Sequence, residues 1–127
     1  MQKRALQPPD LPRPANFSQG IAVEGSRMIF VAGNVAIDAA GKTVAPGDIK
    51  AQTRQVLANI ERVLAEAGAK RENIVKITTF LTDLKHYAGF AEVRGEFFKP
   101  PYPASTAVRA ELINPEWLVE IEAIAVV

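Results

Sequence analysis

The stretch DIKAQTRQVLANIERVLAEAG, residues 48–68, decides how the rest of the chain is read. Ile49, Val56, Ile60, Val63, Leu64 and Ala67 recur at helical period and form one apolar stripe. Lys50, Arg54, Glu61 and Glu66 occupy the other side, where water solvates them. Asp48 precedes the stripe and has the side chain to accept from free N–H groups of a first turn. Gly68 follows it as the natural residue for a left-handed helix stop. An amphipathic helix of this kind must lay its stripe on another layer, so the flanking segments have to supply one.

They read as strands. Upstream, Ile21–Val23 and Met28–Ala32 are β-rich and are separated by Glu24-Gly25-Ser26-Arg27, a turn of hairpin length. Downstream, Ile74–Leu81 is dense in β-branched residues. A second helix is expected from about His86 to Phe98, with Tyr87, Phe90, Ala91, Phe97 and Phe98 on or near one face. Gly89 and Gly95 inside it each cost roughly 1 kcal/mol against alanine, which points to close packing there. Pro100, Pro101 and Pro103 end it, and strands at Ser105–Leu112 and Leu118–Val127 close the chain around a turn at Asn114-Pro115. Four prolines, at positions 8, 9, 12 and 14, make residues 1–16 an extended arm. The whole, residues 1–127, is one α+β domain: a single mixed or antiparallel sheet with both helices on one face. The uncovered face carries Val, Ile, Phe and Leu, so closed self-association is expected to bury it.

Composition bounds the function. The 127 residues are 48% hydrophobic, and 15 basic against 14 acidic side chains leave a formal charge of +1. No basic stripe runs through the sequence, so nucleic acid is not an expected partner. Without cysteine, thiolate chemistry and Cys-ligated metal are excluded, and one histidine, His86, cannot build a His-rich metal site. No metal or other cofactor is expected. No apolar run is long enough to span a bilayer and no signal-peptide pattern opens the chain, so the default location is the cytoplasm.

Specific segments resemble a known family. They are Asn16-Phe17-Ser18-Gln19-Gly20, Phe30-Val31-Ala32-Gly33-Asn34, Gln52-Thr53 through Asn59-Ile60, and Leu64–Gly68. Val75-Lys76 through Asp83-Leu84, Pro103-Ala104-Ser105-Thr106 and Glu120-Ile121-Glu122-Ala123-Ile124-Ala125 continue the match, which covers about residues 14–127. The chain resembles the RidA/YjgF family, also known as liver perchloric-acid-soluble protein or endoribonuclease L-PSP. The resemblance implies a chorismate-mutase-like homotrimer with small-molecule clefts between subunits. It also implies hydrolysis of enamines or imines to 2-oxo acids and ammonia.

The resemblance places the site as well as the departures from it. In the family's deaminases an arginine follows Pro-Ala, and it works with a carboxylate on the last strand, a tyrosine near the N-terminus and a serine on an early strand. Here Glu120 stands at the carboxylate position, while Ser105 replaces the arginine, Phe17 the tyrosine and Ala32 the serine. Asn34 replaces a glutamine beside Gly33, and Ala91 stands where a helix asparagine is usual. Losing one partner of a buried guanidinium–carboxylate pair costs ~2–5 kcal/mol, so an ordinary 2-imino acid is a poor fit. Glu120 and Ser105 are the candidate catalytic residues. Phe17, Ala32, Gly33, Asn34, Ala91, Arg94, Ala107 and Trp117 are the candidate substrate-binding ones. Arg94, three residues after Ala91, and Arg109, on the strand face of Ser105, are the cations available to replace the missing one. The expected function is an imine or enamine hydrolase with altered substrate. The alternatives are a non-catalytic metabolite-binding trimer and, last, a ribonuclease. The common expectation is that trimer seams bring Ser105 and Glu120 into shared pockets.

Overall fold

The computed structural model describes residues 1–127. In chain order the strands are β1 (Gln2–Leu6), β2 (Gly20–Glu24), β3 (Met28–Asn34), β4 (Ile74–Leu81), β5 (Ala104–Arg109) and β6 (Val119–Val126). The helices are α1 (Ile49–Glu66) and α2 (Tyr87–Phe97), the latter preceded by a short turn at Leu84–His86.

The amphipathic stretch forms α1 as its pattern requires. The Asp48 carboxylate accepts from the Ala51 N–H at 3.0 Å, and Gly68 takes a positive φ of 70° just beyond the last turn. Val56, Leu57, Ile60 and Leu64 are buried, but Val63 is half-exposed: the contact stripe is rotated toward Leu57. The two helix glycines do mark close packing. A β-carbon at Gly89 would come within 2.8 Å of Ile49 on α1, and one at Gly95 within 2.7 Å of the Asn16 amide nitrogen.

Pairing is where the chain departs from its local pattern. Segments 20–24 and 28–34 are both strands, but they do not ladder with each other as a hairpin. β2 pairs antiparallel with β1, and β3 pairs antiparallel with β6. Residues 2–6 are therefore a strand rather than part of an extended arm, and only the proline-rich remainder is irregular. The main ladder is β3-β6-β4-β5, antiparallel except for β4 with β5, and β1-β2 forms a separate two-stranded ladder. The product is a mixed α+β architecture with two helices on one sheet face. Val31, Ile77, Leu81, Ile121, Ala123 and Ala125 line that face and pack with α1, Phe90, Val93 and Phe97 in one core.

The opposite face has no covering layer in the chain. Phe30, opposite Ile124 in the β3–β6 ladder, is 70% exposed, and Met28 is exposed beside it. Thr78, Phe80, Glu120 and Glu122 share this face by register.

Candidate functional site

Asn16, Phe17 and Ser18 cross the end of β5. The Ser18 N–H donates to the Pro103 carbonyl at 3.0 Å and its hydroxyl to the Tyr102 carbonyl at 2.6 Å. Ser18 thereby bridges Ala104, the residue before Ser105. The Asn16 amide donates to the Ala91 carbonyl of α2 at 3.2 Å, in the space left by Gly95. Phe17 and Ala91 are brought together in this way with the start of β5.

Arg94 lies at the centre of that cluster. The residue is only 4% exposed. Nε donates to Asn16 Oδ1 at 2.9 Å, Nη1 to Ser105 Oγ at 3.1 Å and Nη2 to the Tyr87 hydroxyl at 3.3 Å. The guanidinium carbon stands 4.9 Å from the Phe17 ring centre, 5.1 Å from Phe90 and 5.8 Å from Tyr87, a cation held among aromatic rings. The chain's ion pairs are Lys50–Glu92, Arg54–Glu96 and Arg71–Glu61, so no carboxylate of this chain balances Arg94. A buried charge satisfied only by neutral groups retains much of its desolvation cost. Arg109 does not join the cluster; its charge is felt by Asp83 on the loop before α2.

Glu120 belongs to a second cluster. The ladder of β3 slips between Val31 and Asn34, and the bulge carries Ala32 and Gly33. The Glu120 carboxylate packs directly on Gly33, filling the volume a β-carbon would occupy. Asn34 closes the bulge by donating to the Ala32 carbonyl at 2.8 Å. On the same face Lys76 donates to Thr106 Oγ1 at 2.7 Å; burial lowers its amine pKa below the usual 10.5, and Glu122 partly offsets this. Ala107 lies opposite Thr79 on the helix side of β5, two residues beyond Ser105. Trp117 is held by α1: Gln52 donates to the Glu116 carbonyl at 2.9 Å and accepts from the Leu118 N–H at 2.8 Å, on either side of it. The Trp117 indole N–H is buried without a partner.

The two clusters do not meet within one chain. Ser105 is opposite Ile77, and Glu120 is opposite Phe80. Successive strand residues alternate faces, so a three-residue offset along β4 places Ser105 on the helix side and Glu120 on the uncovered side. The sequence offers Arg94 as a substrate-binding candidate and, with Arg109, as one of two replacement cations, but does not single out Asn16 or Tyr87. The signal was present in the spacing of Tyr87 and Arg94, seven residues apart on one helix face.

A two-helix layer on one face of a mixed four-stranded sheet defines an α+β protein of the YjgF kind. The sequence model described as endoribonuclease L-PSP matches residues 10–127. A RutC family protein of Pyrococcus abyssi is 40% identical over 126 residues, covering 98% of each chain, and the DfrA protein of Myxococcus xanthus is 34% identical over 127 residues, covering 99% of this chain and 97% of its own. Among solved structures, the Rid-family protein YyfB of Yersinia pestis, described as of unknown function, superimposes with a TM-score of 0.87 at 34% identity over 100% of both chains. The chain belongs to the RidA/YjgF family of endoribonuclease L-PSP proteins. No helix is long and apolar enough to cross a membrane.

Proposed function

We propose that three copies of this chain close on their uncovered sheet faces, and that each seam forms a cleft that hydrolyses a small imine or enamine. The observation that carries this reading is the opposite facing of Ser105 and Glu120. One copy offers Ser105 with Phe17, Ala91 and Arg94, and the next offers Glu120 with Ala32, Gly33 and Asn34. A pocket containing both needs two copies. The exposed Phe30 and Met28 supply an apolar reason for the copies to associate.

The chemistry asks little of the protein. An enamine first tautomerises to the imine. Glu120 accepts a proton from a water that attacks the imine carbon, forming a C–O bond as the C=N π pair moves to nitrogen. Glu120 returns that proton to nitrogen, giving a neutral carbinolamine; the carbinolamine hydroxyl proton then passes through Glu120 to the amine, the C–N bond breaks as the oxygen pair closes the C=O bond, and a carbonyl compound and ammonia depart. Ser105 orients the substrate. No cofactor takes part. A small-molecule binder without turnover is the second reading, favoured by serine at the arginine position. The ribonuclease named in the family description stands third, because its acid–base chemistry would want two placed titrating groups and a phosphate-binding cation, and the chain has one histidine and a formal charge of +1.

Subunit mixing tests the first reading. Glu120→Ala and Ser105→Ala proteins are each expected to lose ammonia release from a panel of imines. Unfolded and refolded together in equal amounts, they should regain about a quarter of the wild-type rate, because random assembly leaves about that share of seams with both residues intact. Activity that survives Glu120→Ala, or mixtures that regain nothing, would refute it. Saturable stabilisation by a metabolite without ammonia release would select the binder.

A further inference from the structure

A recess beside the C-terminal end of α2 plays no part in the cleft proposed above. It measures about 160 Å³ and opens where β1 meets the residues after α2 and the turn Arg71–Asn73 before β4. Lys3 lines it from β1 and Lys99 from the chain just beyond α2, while Phe97 and Phe98 supply rings set edge to face, 4.8 Å apart between centres. None of its lining residues lies on the uncovered sheet face, so closing those faces leaves it accessible. Part of the charge around it is already paired. Arg71 donates to Glu61 from Nε and Nη2 at 2.8 Å each and lies 4.0 Å over the Phe97 ring, and Glu96 pairs with Arg54.

The two ammonium groups are different. Neither Lys3 nor Lys99 belongs to an ion pair of this chain. Lys3 Nζ donates to the Glu72 carbonyl at 2.6 Å, which leaves two of its three N–H donors without a protein partner. Burial lowers the Lys3 pKa below the usual 10.5, and the Glu72 carboxylate only partly offsets this, so the charged amine lacks counter-charge. Two cations thus face the recess against one unpaired carboxylate. We infer that the recess binds a compact dianion of the phosphate type, held between Lys3 and Lys99. A tetrahedral oxyanion points oxygens in several directions and can accept from donors on two walls at once, whereas a planar carboxylate presents two oxygens in one plane. Lysine suits such a ligand as a point charge with rotatable donors. The bound anion also has a structural effect. β1 ladders only with β2, so an anion shared by Lys3 and Lys99 fastens the N-terminal strand to the end of α2. The phosphate is either the free ion or the head of a small ester, whose apolar part the Phe97 and Phe98 rings would receive.

The experiment titrates inorganic phosphate and phenyl phosphate into the full-length protein by calorimetry, with thermal melting in parallel. Both are run at mildly alkaline pH, where the phosphate is a dianion and the lysines keep their charge, and at constant ionic strength set with chloride. Phosphate at about ten times its Kd should raise the wild-type melting temperature by ~4 °C over chloride. Lys3→Met and Lys99→Met, which keep the side-chain bulk, should each weaken binding about tenfold or more. Glu72→Gln, which removes the one opposing carboxylate, should tighten it about two- to fivefold, and with Lys99→Met it keeps the test decisive if Lys3→Met loosens β1. Tighter binding of phenyl phosphate than of phosphate assigns the ester, and equal or weaker binding assigns the free ion. Identical melting in phosphate and chloride, or an affinity unchanged in both Lys99→Met and Glu72→Gln, would overturn the inference.

Discussion

Replacing Gly33 by alanine separates the site from the scaffold. The added β-carbon would overlap the Glu120 carboxylate oxygen and come within 3.0 Å of its carboxyl carbon and 3.2 Å of the preceding methylene. Those atoms are the far end of a flexible side chain, so Glu120 has to turn away rather than the strand having to move. A side chain forced ~30° off its rotamer costs ~0.5–1.5 kcal/mol. Gly33 has no positive φ to penalise alanine, and the loss of unfolded-state freedom returns ~0.4–1 kcal/mol. The net change is about 1 kcal/mol or less, which moves the melting temperature by no more than ~5 °C in a chain of this size. Catalysis is far more sensitive: a misplacement of about 1 Å costs ~100-fold. We therefore predict that Gly33→Ala melts near wild type yet loses about two decades in ammonia release, and that in a Glu120→Ala background the same change lowers the rate no further. Scanning calorimetry and kinetics on the four proteins complete the cycle. A Gly33→Ala protein with unchanged kinetics, or losses that multiply in the double variant, would refute the placement of Glu120 as the working carboxylate.

Three further outcomes follow from the same structure. Gln52 is fully buried and bonds the Ala45 and Glu116 carbonyls and the Leu118 N–H, so Gln52→Ala strands several polar groups; we expect a loss of ~2–4 kcal/mol in chemical denaturation. The Asp83 carboxylate accepts from the Lys85 N–H, which holds its pKa below the ordinary 3.8, so its contribution is present above that pH and is lost as pH falls through the folded-state value. The stability gap between wild type and Asp83→Ala should thus be constant near neutrality and close in strong acid, as read by denaturant midpoints across pH. Phe30→Glu, which puts a charge on the β3 edge of the uncovered face, should shift sedimentation toward single chains while leaving far-ultraviolet dichroism unchanged.

The elements of this fold were legible because each writes its own period. Asp48, the 49–67 stripe and Gly68 specify α1 within a few residues, and β-branched residues 74–81 mark β4. What the sequence conceals is pairing. Segments 20–24 and 28–34 look like a hairpin because local signals report only that two strands are close in the chain. β3 instead pairs with β6, about ninety residues away, through a register that only the completed core selects. β1 was hidden for the same reason, since Gln2–Leu6 has no alternating pattern and is a strand only because β2 is beside it. The site shows the same division. Glu120 and Ser105 could be found by resemblance, but their opposite facing depends on a three-residue offset along β4. The setting of Arg94 depends on Asn16 reaching α2 over Gly95, a contact between residues 79 positions apart.

The claim that carries the account is that one chain holds half a site. Sedimentation equilibrium of the wild-type protein at micromolar concentration tests it without any knowledge of substrate. Three associated chains of 13.8 kDa, about 41 kDa in all, are predicted. A single species at the mass of one chain, stable over that range, would contradict it.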